Sequence, residues 1–210
     1  MAGGLQKKVI VVGLARLAVS AAAIAVNVVL ARGLARELNG LVQQALIIAG
    51  VAVLLGQSGI QTSAYTFLPR LRPGQRRAFF AQSTVLLLVL GGLAAAGALL
   101  AAPWLAAEWG SPRLVGLVVA LAGYIFFSVA ASAAEAALLT QERQFFFLGA
   151  TVLWAALHAG GVVAFLLLGR PLEWVLGALS FAAAARFAGF TLLAWNALPP
   201  GESKTAGGAG

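Results

Sequence analysis

The sequence predicts an all-α polytopic membrane protein, a bundle of six transmembrane helices. Three observations predict it. Mean hydropathy is +0.96, and 61% of the 210 residues are hydrophobic while only 10% are charged. Soluble domains carry about 25% charged residues, and a soluble core of this length has no room for so much apolar surface. The apolar residues also fall into six stretches of about 25 residues, long enough to cross a bilayer with some tilt. Finally, helix breakers stand at the joints between them.

The six spans are expected at 9–31, 41–67, 79–106, 114–139, 145–168 and 172–197. Each must be helical, because hydrocarbon offers backbone groups no other partner. The joints are Asn39-Gly40, Pro69 with Pro73-Gly74, Gly110-Ser111-Pro112, Gly169-Arg170-Pro171 and Pro199-Pro200-Gly201. Lys7 and Lys8 before an apolar run imitate a signal peptide. The run continues to Ala31, however, so an uncleaved first span is expected. Residues 1–198 form the bundle, and the Gly/Pro/Ser-rich residues 199–210 form a disordered tail.

Loop charges give an orientation. With the N-terminus cytoplasmic, Lys7, Lys8, Arg70, Arg72, Arg76, Arg77, Arg143 and Lys204 lie inside, and Arg32, Arg36, Arg113 and Arg170 outside. The excess predicts both termini in the cytoplasm. Trp104, Trp109 and Trp174 then fall at the outer interface and Trp195 at the inner one, with Phe79-Phe80 and Phe145-Phe146-Phe147 as inner anchors. Small residues at helical spacing predict close helix contacts: Ser128, Ser132 and Ala136; Gly92 and Ala96; Gly160-Gly161.

The net charge of +8 is confined to span ends and one loop. It reads as membrane orientation, and no nucleic-acid partner is expected. There is no Cys and no Asp, and His158 is the only histidine. Thiol chemistry, a metal site and a paired-carboxylate catalytic site are therefore not expected, nor is a cofactor or an enzymatic activity. The eleven Arg against three Lys, with abundant Ala and Gly, suggest a GC-rich bacterial coding sequence.

Arg16 and Arg186 stand inside spans one and six. Each costs about 2.5–3.5 kcal/mol on an insertion scale if it faces lipid, so each should face the bundle interior or a watery cavity. Snorkelling is the bland alternative for Arg16. A structural pairing with Glu135 or a carbonyl is the alternative for Arg186. In span two, Gln57 and Gln61 stand at i, i+4, as do Ser58 and Thr62, with Ser63, Tyr65 and Thr66 following. Such a stripe suits sugar hydroxyls or water, or simply hydrogen bonds between helices. Gly56 and Gly59 are placed to bend the helix at its start. Asn27 reads as interhelical bonding. Glu135 reads as an interfacial carboxylate or a partner of Arg143, and His158 as hydrogen-bonded packing. Buried cations without a buried acid cluster suit an anionic or polar cargo, because the guanidinium fork binds phosphate oxygens in pairs.

Three stretches carry a family resemblance: VVLARGLARELNGLVQQALIIAG, GQSGIQTSAYTFLPRLRPGQ and AALLTQERQFFFLGATVLWAALHAGGVVAFLLLG. Over most of residues 5–198 the chain resembles the N-terminal half of polysaccharide-export flippases. These are the lipid-linked oligosaccharide branch of the multidrug/oligosaccharidyl-lipid/polysaccharide exporter superfamily. The resemblance implies one lobe of a two-lobe transporter in the bacterial inner membrane. It implies translocation of a polyprenyl-pyrophosphate-linked glycan by alternating access. Arg16 matches an arginine-bearing stretch of the family's first span, whereas Arg186 is carried over by its chemistry alone. Drug exporters of the superfamily place an acid in the first span, and here that span has Arg16 instead. Family members have two six-span halves, and this chain has one. The resemblance thus implies a truncated frame, a homodimer, or a second half-transporter chain as partner beside membrane lipid. A small-molecule exporter of another family and a non-transporting scaffold or fragment are the alternative readings.

Overall fold

The computed structural model describes residues 2–57, 59–141 and 143–199, with the side chains of residues 2–9 and of Gln61 left out. Seven α-helices follow one another: α1 Ala2–Gly33, α2 Arg36–Gln57, α3 Ile60–Phe67, α4 Pro73–Glu108, α5 Arg113–Thr140, α6 Gln144–Leu167 and α7 Leu172–Ala197. A single 3-10 turn, Leu68–Arg70, joins α3 to α4. The described residues contain no strand. Six segments are long and apolar enough to cross a membrane, with α2, α3 and the 3-10 turn together forming the second. The protein is an all-α polytopic bundle, as expected. Most of the expected tail, residues 200–210, lies outside the described residues, as do Lys204 and Ser58.

The joints show why the spans stop where they do. At the ends of α4 and α6 a glycine takes positive φ, Gly110 at 62° and Gly169 at 62°. The next residue's amide then closes back on the helix, Ser111 on Ala106 O at 2.9 Å and Arg170 on Phe165 O at 3.1 Å. Orphan carbonyls at the helix end are satisfied this way, and only glycine adopts the left-handed turn without a Cβ clash. Pro112 and Pro171 follow at once and start the next helix.

Helix α5 is the axis of the bundle, with α7, α4 and α2 packed around it, while α6 packs on α7 and α1 on α6. The row therefore runs α1–α6–α7–α5–α4–α2. Its two outer members, α1 and α2, barely touch. They are joined by their turn and by Gln43 Nε2 donating to Asn27 Oδ1 at 3.0 Å. The interhelical reading of Asn27 matches this bond.

The buried small residues explain how α5 is surrounded so closely. Ser128, Val129, Ala130, Ala131, Ser132, Ala133, Ala134, Ala136 and Ala137 are all buried. Side chains this short let three helix backbones approach at once. One expected face moves by one position, and one of an expected pair is used. In α4 the buried stripe is Gly91, Ala95, Ala98 and Ala102 rather than Gly92 and Ala96, and in α6 Gly161 meets Ala178 while Gly160 lies open. Small residues stand side by side there, so spacing fits either face, and one residue turns a helix face by about 100°.

The ends differ in charge. The end carrying the α3–α4 and α5–α6 joints holds Arg70, Arg72, Arg76, Arg77 and Arg143, and is called the basic end below. Arg77 there donates to Leu198 O at 3.0 Å and Trp195 O at 3.4 Å. It caps the C-terminus of α7, where a cation is favoured by the helix dipole. Arg76 donates to Leu71 O at 3.1 Å and Pro69 O at 3.2 Å. Part of the basic cluster is therefore joinery. Trp104, Trp109 and Trp174 are exposed towards the opposite end, and Trp195 is exposed at the basic end. Phe145 and Phe146 are exposed as anchors would be, but Phe80 and Phe147 belong to the core.

Candidate functional site

Two charged side chains meet inside the helical layer. Arg186 of α7 donates through Nη2 to the Glu135 carboxylate of α5. Only 18% and 15% of the two side chains is exposed. The partner expected for Glu135 was an interfacial setting or Arg143; the structure gives it Arg186, and Arg143 instead lies over the Phe146 ring. Arg186 is also sandwiched by aromatic faces, 4.3 Å from the Trp154 ring centroid and 5.5 Å from that of Phe190. A planar, weakly hydrated guanidinium tolerates such a setting better than an ammonium does.

The helices position these groups for simple reasons. Thr151, Trp154 and His158 stand at i, i+3 and i+7 on α6, hence on one face. Ser128, Ser132 and Glu135 stand at i, i+4 and i+7 on α5. Trp154 packs with Ala155, Ala182 and, from α1, Val19 and Ala22. His158 lies 5.2 Å from the Trp154 ring and 6.4 Å from the Tyr124 ring. It is thus ring-packed rather than hydrogen-bonded, since its Nδ1 has no partner.

Arg16 reaches the same cluster from α1. Val11, Ala15, Val26 and Leu30 are the buried stripe of α1, and Arg16 stands beside it. Arg16 and Asn27 are eleven residues apart, three turns and about 16 Å along one face. Asn27 faces α2 through its bond to Gln43, so Arg16 stands on the side of α1 that faces α2. It is exposed, yet within electrostatic reach of Glu135. Arg186 is likewise within reach of His158.

The cluster carries two guanidiniums and one carboxylate, a surplus of one positive charge. Around it are buried polar atoms without a partner: Arg186 Nε, Trp154 Nε1, His158 Nδ1, Thr151 Oγ1 and Ser128 Oγ. Most of these can donate, so the chemistry the site can do is to accept an oxyanion or a hydroxyl-rich group. Among the described residues no cluster of His, Asp and Glu is arranged to hold a metal.

The expected amide stripe of α2 is interrupted. The helix ends at Gln57, and Gly59 takes φ +75° before α3 begins. Gln57 and Gln61 therefore stand on two helices rather than one turn apart on a continuous one. Gln57 is half-buried, and the side chain of Gln61 lies outside the described residues. Two hydroxyls nearby are spent on their own helix, Ser63 on Gly59 O at 3.3 Å and Thr66 on Thr62 O at 3.1 Å. The structure pairs Arg186 with Glu135, leaves Arg16 exposed on α1, and leaves Gln57 and Gln61 on two separate helical elements.

Sequence reasoning missed Trp154 and Thr151. A signal was present: Trp104, Trp109, Trp174 and Trp195 stand near span ends, and Trp154 stands ten residues into α6, counting from Gln144. A large cavity lies elsewhere. It is an apolar groove of about 850 Å³ between α6 and α7, lined by Gly160, Gly161, Ala164, Gly177 and Phe181, with Glu173 at its mouth. It contains no cation, so the Arg186–Glu135 cluster and not this groove is the candidate site.

The family model described as polysaccharide biosynthesis protein matches residues 5–205. No curated protein and no solved structure matches the chain.

Proposed function

We propose that this chain, which belongs to the polysaccharide biosynthesis protein family, is one lobe of a flippase for a lipid-linked polysaccharide precursor. The protein is a multi-pass membrane protein of a family whose products are polysaccharides, and the finer reading starts there. The observation that carries it is the Arg186 guanidinium held inside the helical layer on Glu135, with Arg16 of α1 close enough to act electrostatically on the same carboxylate. A pyrophosphate joining a polyprenyl tail to a glycan presents oxygens that a guanidinium binds bidentately. The exposed apolar faces of α1 and α2 suit the lipid tail or an opposing lobe. A second copy of this chain, or a second half-transporter chain, supplies that lobe. The excess of arginine at the basic end orients both termini to the cytoplasm of a bacterial inner membrane.

The test is a proteoliposome assay that follows a fluorescent polyprenyl-pyrophosphate-linked sugar from one leaflet to the other. Wild type moves the probe, and Arg16→Ala, folded to the same extent, does not. Equal rates for wild type, Arg16→Ala and empty vesicles overturn the reading. Native mass spectrometry in a lipid-preserving detergent gives the number of lobes: a dimer supports self-pairing, and a monomer that still moves the probe rejects it.

A further inference from the structure

We propose that Glu135 is a built-in stand-in for the cargo's anion, seated on the Arg186 guanidinium while the site is empty and displaced when a pyrophosphate arrives. This rests on the cargo reading above and adds how the same site is regulated.

The geometry points to it in three ways. First, Glu135 holds the Arg186 guanidinium by a hydrogen bond inside the helical layer, which is the seat an incoming oxyanion would take. Second, it fills that place incompletely. Arg186 Nε is buried without a partner, and Arg16 makes no hydrogen bond or ion pair among the described residues. A buried guanidinium donor left unmatched is costly, and a diphosphate has enough oxygens to match what a carboxylate cannot. Third, the cations differ in their hold. Arg186 is clamped between Trp154 and Phe190, whereas Arg16 is exposed on α1, which packs chiefly on α6. Arg186 is thus the fixed half of the site and Arg16 the half that is free to approach a ligand.

A carrier must let go as well as bind. An empty site with two uncompensated guanidiniums in the membrane would be costly to leave behind, and release would be slow. A carboxylate that returns to Arg186 offsets that cost. It also lowers the apparent affinity, because only the fraction of molecules with Glu135 withdrawn is competent to bind. Glu135 is therefore a positioning residue that sets affinity and release rather than a group needed for binding.

The experiment is calorimetric titration of the full chain in mild detergent with farnesyl pyrophosphate, and with inorganic pyrophosphate to separate headgroup from lipid recognition. Binding of both probes assigns the recognition to the headgroup, and binding of the farnesyl compound alone adds the tail. Glu135→Gln should bind the probe about tenfold more tightly than wild type, as removal of a tenth-populated competent state implies. It should also slow the flipping cycle. Arg186→Met and Arg16→Met should lose binding. If Glu135→Gln binds equally or more weakly while Arg16→Met still loses binding, the stand-in role is overturned and the cargo reading survives. If no chain binds either probe, both fail. Should Glu135→Gln prove unfolded, Glu135→Asp keeps the charge on a shorter stem. It should then bind more tightly than wild type, and unchanged affinity in that variant overturns the proposal.

Discussion

Arg186 lies over the Trp154 ring, its guanidinium carbon 4.3 Å from the indole centroid, and from that position it donates to Glu135. The stack and the ion pair are made by three different helices, α6, α7 and α5. The cation's cost of leaving water is met by the π face on one side and a carboxylate on the other. Removing one member leaves the others unmatched. Arg186→Met should destabilise the protein by about 3–5 kcal/mol, the usual consequence of orphaning a buried charge. The double variant Arg186→Met with Glu135→Gln should recover part of that loss. Reversible unfolding in mixed micelles measures both, and strict additivity of the two single variants would mean that the pair is not energetically coupled.

Arg16 behaves differently because it is exposed and makes no hydrogen bond among the described residues. Arg16→Ala should leave the melting temperature within a few degrees of wild type, the range of about ±0.5 kcal/mol typical of such sites. A large drop in thermal stability would mark Arg16 as structural.

Gly59 carries the break between α2 and α3 at φ +75°. An L side chain pays about 1–2 kcal/mol for that left-handed conformation, while open space surrounds the position. Gly59→Ala should therefore destabilise by that amount through the backbone alone, and Gly59→Asn by less. Equal melting temperatures for Gly59→Ala and wild type would show that the break relaxes into a continuous helix.

Gly91 and Gly92 make a paired control. A Cβ on Gly91 would stand 2.8 Å from the Phe126 carbonyl oxygen, whereas one on Gly92 meets only a ring atom at 3.9 Å. The first forces α4 away from α5, and overpacking of this kind costs about 1–3 kcal/mol. Gly91→Ala should lower stability in that range and Gly92→Ala should not. The reverse order would place the α4–α5 seam one residue over.

Arg77 closes the basic end by donating to Leu198 O and Trp195 O, with its guanidinium 5.3 Å from the Trp195 ring. Arg77→Met retains the stem and removes the donors. Each hydrogen bond from a charged group contributes about 1.5–3 kcal/mol, and the loss should fall on the last turn of α7. Hydrogen exchange of residues 194–198 should accelerate in the variant while α5 stays protected.

The number of spans and their joints were legible in the residues. Hydropathy is a local property, and lipid leaves a helix as the only way to satisfy the backbone. Gly110-Ser111-Pro112 and Gly169-Arg170-Pro171 announced their turns because left-handed glycine and proline act on their own stretch of chain. That Arg16 and Arg186 needed shelter was equally legible, since the cost of a charge in hydrocarbon does not depend on the fold. The pairing of Arg186 with Glu135 was one of the alternatives the sequence offered for Arg186, but spacing did not choose it over Arg143 for Glu135. Arg143 is eight positions from Glu135 along the chain and Arg186 is 51, and the packing of α7 on α5 chose the distant one. Trp154 as the platform and the one-residue shift of the α4 seam have the same origin, whereas the break between Gln57 and Gln61 falls at Gly59, where the sequence placed a bend. Spacing along one helix says which residues share a face, and only the neighbouring helix decides which face is used.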